Sequence, residues 1–136
     1  MRTIERTARH EAGHVVMALL LGEPVERVWI DQDGNGSCVL GRPVFDRDQL
    51  LILAAGPAAE SFVDGVCANN DWDVMRVILQ KHPNMNQDVL WWHHEAHTEL
   101  DGWWNVIEAI ADELVAKREL FESEILELWN RRLEMA

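Results

Sequence analysis

Five residues, His10-Glu11-Ala12-Gly13-His14, carry the densest chemistry in the chain and spell H-E-x-x-H. Residues four apart share one face of an α-helix, so His10 and His14 can turn both imidazoles toward one metal ion. Glu11 is rotated about 100° from His10 and can reach a water on that metal. Bulk water is a poor nucleophile at neutral pH; a divalent ion lowers its pKa, and a carboxylate beside it takes the proton. Two His ligands, an open coordination position and a carboxylate base are the working parts of a zinc hydrolase. The same string also arises by chance, and two His on a helix are more often surface residues. Burial argues against that bland alternative here. Ile4, Ala8, Ala12, Val15 and Leu19 recur at helical spacing and mark a core face. After His14 the run Val15 to Leu21 is apolar all round. A helix buried on most sides that still carries two His and a Glu needs partners for them, and a metal ion supplies one.

Composition bounds the rest. At 136 residues and 48% hydrophobic content, the chain is expected to form one domain, residues 1–136, with a genuine core. A net charge of −12 disfavours nucleic acid and anionic membrane surfaces, which need a basic footprint. No apolar run approaches the roughly 20 residues of a membrane span. Met1 to Arg6 lacks the apolar core and cleavage site of a signal peptide. Cys38 and Cys67 have no C-x-x-C spacing, which argues against a thiolate zinc site or a disulfide framework. A cytoplasmic location is the expectation.

The elements that must position the pentapeptide follow from pattern and punctuation. The first helix is predicted from about Thr3 to Leu21, stopped by Gly22 and Pro24. Val25 to Ile30 reads as a strand; Asp31 to Gly36 is dense in turn formers; Ser37 to Leu40 returns as a second strand. This hairpin either offers an edge to an extended peptide or only covers the core. Asp48 to Val63 is predicted as a second helix with Asp48 as N-cap, kinked or restarted at Pro57. Within it Glu60 sits among small residues: exposed, it is a helix former; buried, it needs a cation or an imidazole N–H. Asn70 is expected to cap a third helix through Val74, Val77 and Ile78, ending before His82-Pro83. Capping is itself a sufficient reason for acids at Asp71 and Asp73. A tryptophan-rich helix follows from roughly Asp88 to Leu100, then a long amphipathic one from Trp103 to Leu120, then a last one capped by Ser123. The fold class is α+β, mostly helical, with one small β element and a C-terminal helical bundle.

His93 and His97 are also four apart, beside His94 and Glu95. They lack the H-E-x-x-H order. An exposed polar face is the expectation there, with a second metal site as the alternative.

Several segments together resemble the protease domain (peptidase M41) of the FtsH family of AAA zinc metalloproteases. They are His10-Glu11-Ala12-Gly13-His14 with its apolar continuation, the strand and hairpin from Val25 to Gly41, Gly56-Pro57-Ala58-Ala59-Glu60, Ala68-Asn69-Asn70-Asp71, and the closing segments Ala111 to Leu114 and Lys117 to Leu120. The resemblance spans nearly the whole chain in order. It implies a zincin-like fold, Zn2+ as cofactor, His10, His14 and Asp71 as metal ligands, Glu11 as general base and acid, and Glu60 orienting a ligand His. Asp73, two residues beyond Asp71, stays open as the alternative third ligand. The departures limit what carries over. The sequence carries no G-x-x-x-x-G-K-[ST] phosphate loop, no membrane anchor is expected, and Pro57 stands where the family has a basic residue. The expectation is a stand-alone endopeptidase acting on unfolded or short polypeptides without ATP, with a separate ATPase or adaptor as a candidate partner; the family's protease domains form rings, and a homo-oligomer is the second candidate assembly. A catalytically silent metal-binding or regulatory module is the competing class, though a decayed site has little need of Glu11. A small metalloprotease of the repressor-cleaving type is a third, disfavoured by the Gly56–Glu60 and Asn70-Asp71 segments.

Overall fold

The computed structural model describes residues 3–64 and 71–131. Its elements are α1 (Ile4–Leu20), β1 (Val25–Ile30), β2 (Gly36–Leu40), α2 (Asp46–Asp64), α3 (Asp71–Gln80), α4 (Val89–Leu100), α5 (Trp104–Lys117), β3 (Glu119–Phe121) and α6 (Glu122–Asn130). The architecture is α+β and mostly helical, as the pattern of the sequence predicts.

Helix α1 is the axis of the fold. Thr3 caps it, its hydroxyl accepting from the Arg6 amide at 3.1 Å. Gly22 ends it at φ 77°, a conformation that suits glycine. Between those ends α1 packs on α2, α5, α4 and the sheet, so its middle is covered from several sides. Ala8, Ala12, Val15, Val16 and Ala18 are fully buried. Small residues on this helix let the neighbours come close.

The sheet has the order β2-β1-β3 and is antiparallel throughout. Strand β1 pairs with β2 through Val28↔Cys38 and Ile30↔Gly36. Its other side pairs with β3 through Val28↔Leu120. Strand β3 corrects the expected long helix from Trp103 to Leu120. Arg118 adopts a left-handed conformation, φ 69°, which stops α5 at Lys117. Leu120 then buries its side chain from a strand rather than from a helix face. A three-residue strand leaves too short a pattern to register as alternation.

Two further boundaries differ. Helix α2 starts at Asp46, so Asp48 lies in its first turn, where its charge suits the helix dipole. Ser123 lies inside α6; the cap-like contact there is the Glu124 carboxylate accepting from the Phe121 amide at 3.2 Å. The expected cap at Asn70 and the residue Cys67 lie outside the described residues. At α4 the Asp88 carboxylate accepts from the Trp91 amide at 2.9 Å, an N-cap just outside the helix.

Helix α2 neither ends nor restarts at Pro57. A proline disfavours helical backbone in the residue before it, partly by clashing with that residue's Cβ. Here that residue is Gly56, which has none. Flanking Ala54, Ala55, Ala58 and Ala59 are all buried, and α1 and α2 form the most extensive element contact in the fold. Packing of this extent offsets the lost backbone hydrogen bond.

The α1–α2 contact is closest at Gly13. A Cβ there would lie 2.6 Å from the Ala59 Cβ and 2.5 Å from the Ala55 carbonyl oxygen. In an open helix Gly→Ala gains about 1 kcal/mol. Overpacking at such distances costs about 1–3 kcal/mol. Gly13→Ala is therefore expected to lower the urea midpoint of unfolding, against its helix propensity. A raised midpoint would show that the two helices do not touch here.

Candidate metal centre

His10 and His14 project from successive turns of α1 with ring centroids 4.8 Å apart and planes at 81°. Each ring is fixed at Nδ1 by α2. His14 Nδ1 lies 2.6 Å from the Ile52 carbonyl oxygen. A carbonyl only accepts, so Nδ1 carries the proton and Nε2 bears a lone pair. His10 Nδ1 donates in the same sense to the Glu60 carboxylate, which is buried. Both Nε2 atoms then face one point, 3.1 Å apart. Asp71, the first residue of α3, places Oδ2 at 2.8 Å from His10 Nε2 and 3.0 Å from His14 Nε2.

Two imidazole lone pairs and a carboxylate oxygen converging in a mostly buried site leave no atom among them to donate. A cation resolves this. In the metal-free protein a proton does so. Burial works against a charged His14, but the bond to Asp71 and the charges of Asp71 and Glu11 prevail and raise its pKa to about 9. Burial likewise opposes a charged Asp71, yet its bonds to His10 and His14 hold it well below the usual carboxylate range.

The same atoms fit a metal ion. His10, His14 and Asp71 form the set of three metal-ligating side chains found among the described residues. Two imidazole nitrogens and a carboxylate oxygen are a donor set that zinc favours. Tetrahedral ligands at zinc bond lengths lie about 3.4 Å apart, only slightly wider than the observed spacings. Gly56 keeps the neighbouring space clear: a Cβ there would stand 2.7 Å from His10 Nε2 and overlap His14 Nε2.

Glu11 is buried and lines the same cleft, of about 570 Å³. One wall is β2 with Gly36, Ser37, Cys38 and Leu40; the other is α2 with Gln49 and Leu53. Gly36 lies against Glu11: a Cβ at this position would come within 2.9 Å of Glu11 Cγ and 3.0 Å of its Oε2. The Cys38 thiol also faces this space, but burial and then the Glu11 charge push its pKa up, so it stays a neutral thiol.

The structure thus brings together His10, Glu11, His14, Glu60 and Asp71. It separates Asp73, whose carboxylate is 72% exposed and pairs with Arg76 at 2.9 Å. His93 and His97 lie apart from the centre on α4. His93 packs edge-on against Trp72, and no third ligand joins the pair among the described residues. Burial lowers the pKa of both, followed by the neighbouring His side chains. Sequence reasoning missed the Ile52 carbonyl, Gly36 and Arg6, whose Nε lies 2.6 Å from Glu60 Oε2. A backbone acceptor leaves no mark in residue type, and Gly36 reads as one more turn former in the run Asp31 to Gly36. Arg6 did leave one, standing four residues before His10 on the same helix.

The chain matches the family model for Peptidase M50B-like proteins over residues 2–77, just over half of its length. The match covers α1, the hairpin, α2 and most of α3, and so contains every residue of the centre. It marks a metallopeptidase domain and does not extend to the FtsH family. A search of curated proteins finds no match.

The shared proton makes a testable pH dependence. A metal ion must displace it. From pH 7 to 8.5 the apparent zinc affinity is therefore expected to rise by about tenfold per pH unit, levelling off near 9. The metal-free fold should show the opposite trend. The raised pKa of His14 contributes stability that is complete below 6.5 and is lost as pH rises through about 9. Zinc titrations and urea melts of the metal-free protein across that range check both signs. A flat affinity would rule out the shared proton.

Proposed function

The chain belongs to the peptidase M50B-like family, and from that premise we propose that it is a zinc-dependent endopeptidase with His10, His14 and Asp71 as ligands and Glu11 as base. The observation that carries this reading is the convergence of three ligand atoms at one point with a buried carboxylate lining the same cleft. Bound zinc supplies a Lewis acid and an acidified water. The chain's own residues do the rest. Glu11 accepts the proton of the attacking water and later delivers it to the leaving amine. Ile52 and Glu60 hold the two imidazoles with Nε2 toward the ion, so neither ring has to reorient during turnover. The similarity of His10–His14, Gly56–Glu60 and Asn70-Asp71 to the FtsH protease domain supports the same roles for Glu60 and Asp71.

The substrate class follows from the walls of the cleft. Strand β2 is an edge of the sheet, with β1 on one side only. An extended peptide laid along its free edge would gain main-chain hydrogen bonds beside Glu11 and the ligands. A folded chain cannot present such a segment, so unfolded or short polypeptides are the substrates we propose. Hydrolysis draws its driving force from the peptide bond itself and needs no nucleotide; a separate ATPase or adaptor would serve only to deliver the substrate.

The test is cleavage of an unfolded model protein by the purified chain, beside the Glu11→Gln variant. The amide keeps the shape of the side chain and removes the base. Turnover is expected to fall by about 10²–10⁴-fold, while zinc content stays at the wild-type level. Equal turnover in the two proteins would dismiss Glu11 as the base. A wild type that holds zinc and cuts nothing would favour a binding module, or a chain dependent on delivery.

A further inference from the structure

We propose that Arg6 is a positioning residue for the metal centre, acting on His10 through Glu60. The inference rests on the zinc reading above. Arg6, His10 and His14 are spaced by four and form one ladder along α1. Glu60 of α2 reaches into that ladder. One of its oxygens accepts from His10 Nδ1, and the other lies 2.6 Å from Arg6 Nε. The Glu60 side chain is fully buried, whereas that of Arg6 is 29% exposed. The guanidinium therefore closes the site on its solvent side and supplies the charge that a buried carboxylate needs.

The two ligand histidines are supported differently, and the difference assigns Arg6 its role. His14 leans on the Ile52 carbonyl, a backbone group fixed by the helix itself. His10 leans on a side chain with three rotatable bonds. A carboxylate held at one oxygen only can turn away from the imidazole. With the second oxygen anchored by the planar, directional Nε–H of Arg6, the first stays aimed at Nδ1. The proton of His10 then stays on Nδ1, and the Nε2 lone pair stays on the point shared with His14 and Asp71. The competing account is that Arg6 and Glu60 merely staple α1 to α2.

The experiment measures zinc affinity by competition with a chromophoric chelator for the wild type, Arg6→Ala, Arg6→Lys, Glu60→Gln and the Arg6→Ala/Glu60→Gln double variant. Thermal melts of the metal-free proteins run beside it. Outer partners of metal ligands are typically worth about 10–100-fold in affinity. Arg6→Ala is expected to lose about tenfold, with Arg6→Lys between it and the wild type. The double variant is expected to match Glu60→Gln alone, because the effect of Arg6 on zinc is routed through Glu60. The staple account predicts a lowered melting temperature with zinc affinity within about twofold of wild type, and that result would overturn the proposal. So would additive losses in the double variant. Should Arg6→Ala fail to fold, Arg6→Lys decides, since it keeps the charge but not the fixed Nε–H; unchanged affinity there overturns the proposal as well. A wild type that binds no zinc would instead refute the zinc reading beneath it.

Discussion

Helices α1 and α2 lie close enough at Gly13 that no side chain fits between them, and the arrangement of the centre follows from that approach. Ala55 and Ala59 meet Gly13 from the other helix, and Gly56 faces the imidazoles. Any larger residue at these positions would push the helices apart. The Ile52 carbonyl and the Glu60 carboxylate would then lie beyond reach of the two Nδ1 atoms. Small residues give up contact area, which elsewhere is the main source of stability. Here they bring backbone and carboxylate acceptors to histidines that could not otherwise be buried. The same approach explains why α2 runs through Pro57: the residue that spares the imidazoles a clash, Gly56, also spares the proline its clash.

The formal charges of the centre suit a divalent ion. Glu60 is balanced by Arg6. Asp71 and Glu11 bring two negative charges to one end of the cleft, and the imidazoles would coordinate as neutral ligands. A divalent cation brings this sum to zero. A proton at His14 brings it only halfway. A monovalent ion would leave the same deficit, and a trivalent one would overshoot.

The sequence exposed the parts of this design that depend on local spacing. Helix α1 was legible because its apolar residues repeat with helical period over four turns. The histidine pair was legible because i, i+4 has one meaning on a helix. Glu60 drew notice as a charge among alanines. The choice between Asp71 and Asp73 was not legible. Both acids suit the first turn of α3, and only the packing of that helix against α2 turns one toward the histidines and the other to solvent. Strand β3 escaped for a related reason. Leu120 fits the apolar face of a continued α5 as well as it fits a strand, and the left-handed turn at Arg118 that decides between them has no glycine to announce it.

The sheet bears on how a substrate could be held. Its outer edges are treated differently. Strand β3 is three residues long, too short to template a neighbour, and α6 follows it directly. Strand β2 is longer, half-buried along its length, and turned toward the cleft. An open edge beside apolar surface invites pairing with other chains, and proteins usually block it. Among the described residues, β2 itself carries neither a charge nor a proline. Gly36 cannot bear a side chain without striking Glu11, so at its metal-facing end the strand offers bare backbone. Farther along the same wall Ser37, Cys38 and Leu40 present a surface without charge. The requirement that leaves room for Glu11 thus also leaves the edge open beside it among the described residues. A peptide pairing there would be held by its main chain, with few demands on its side chains.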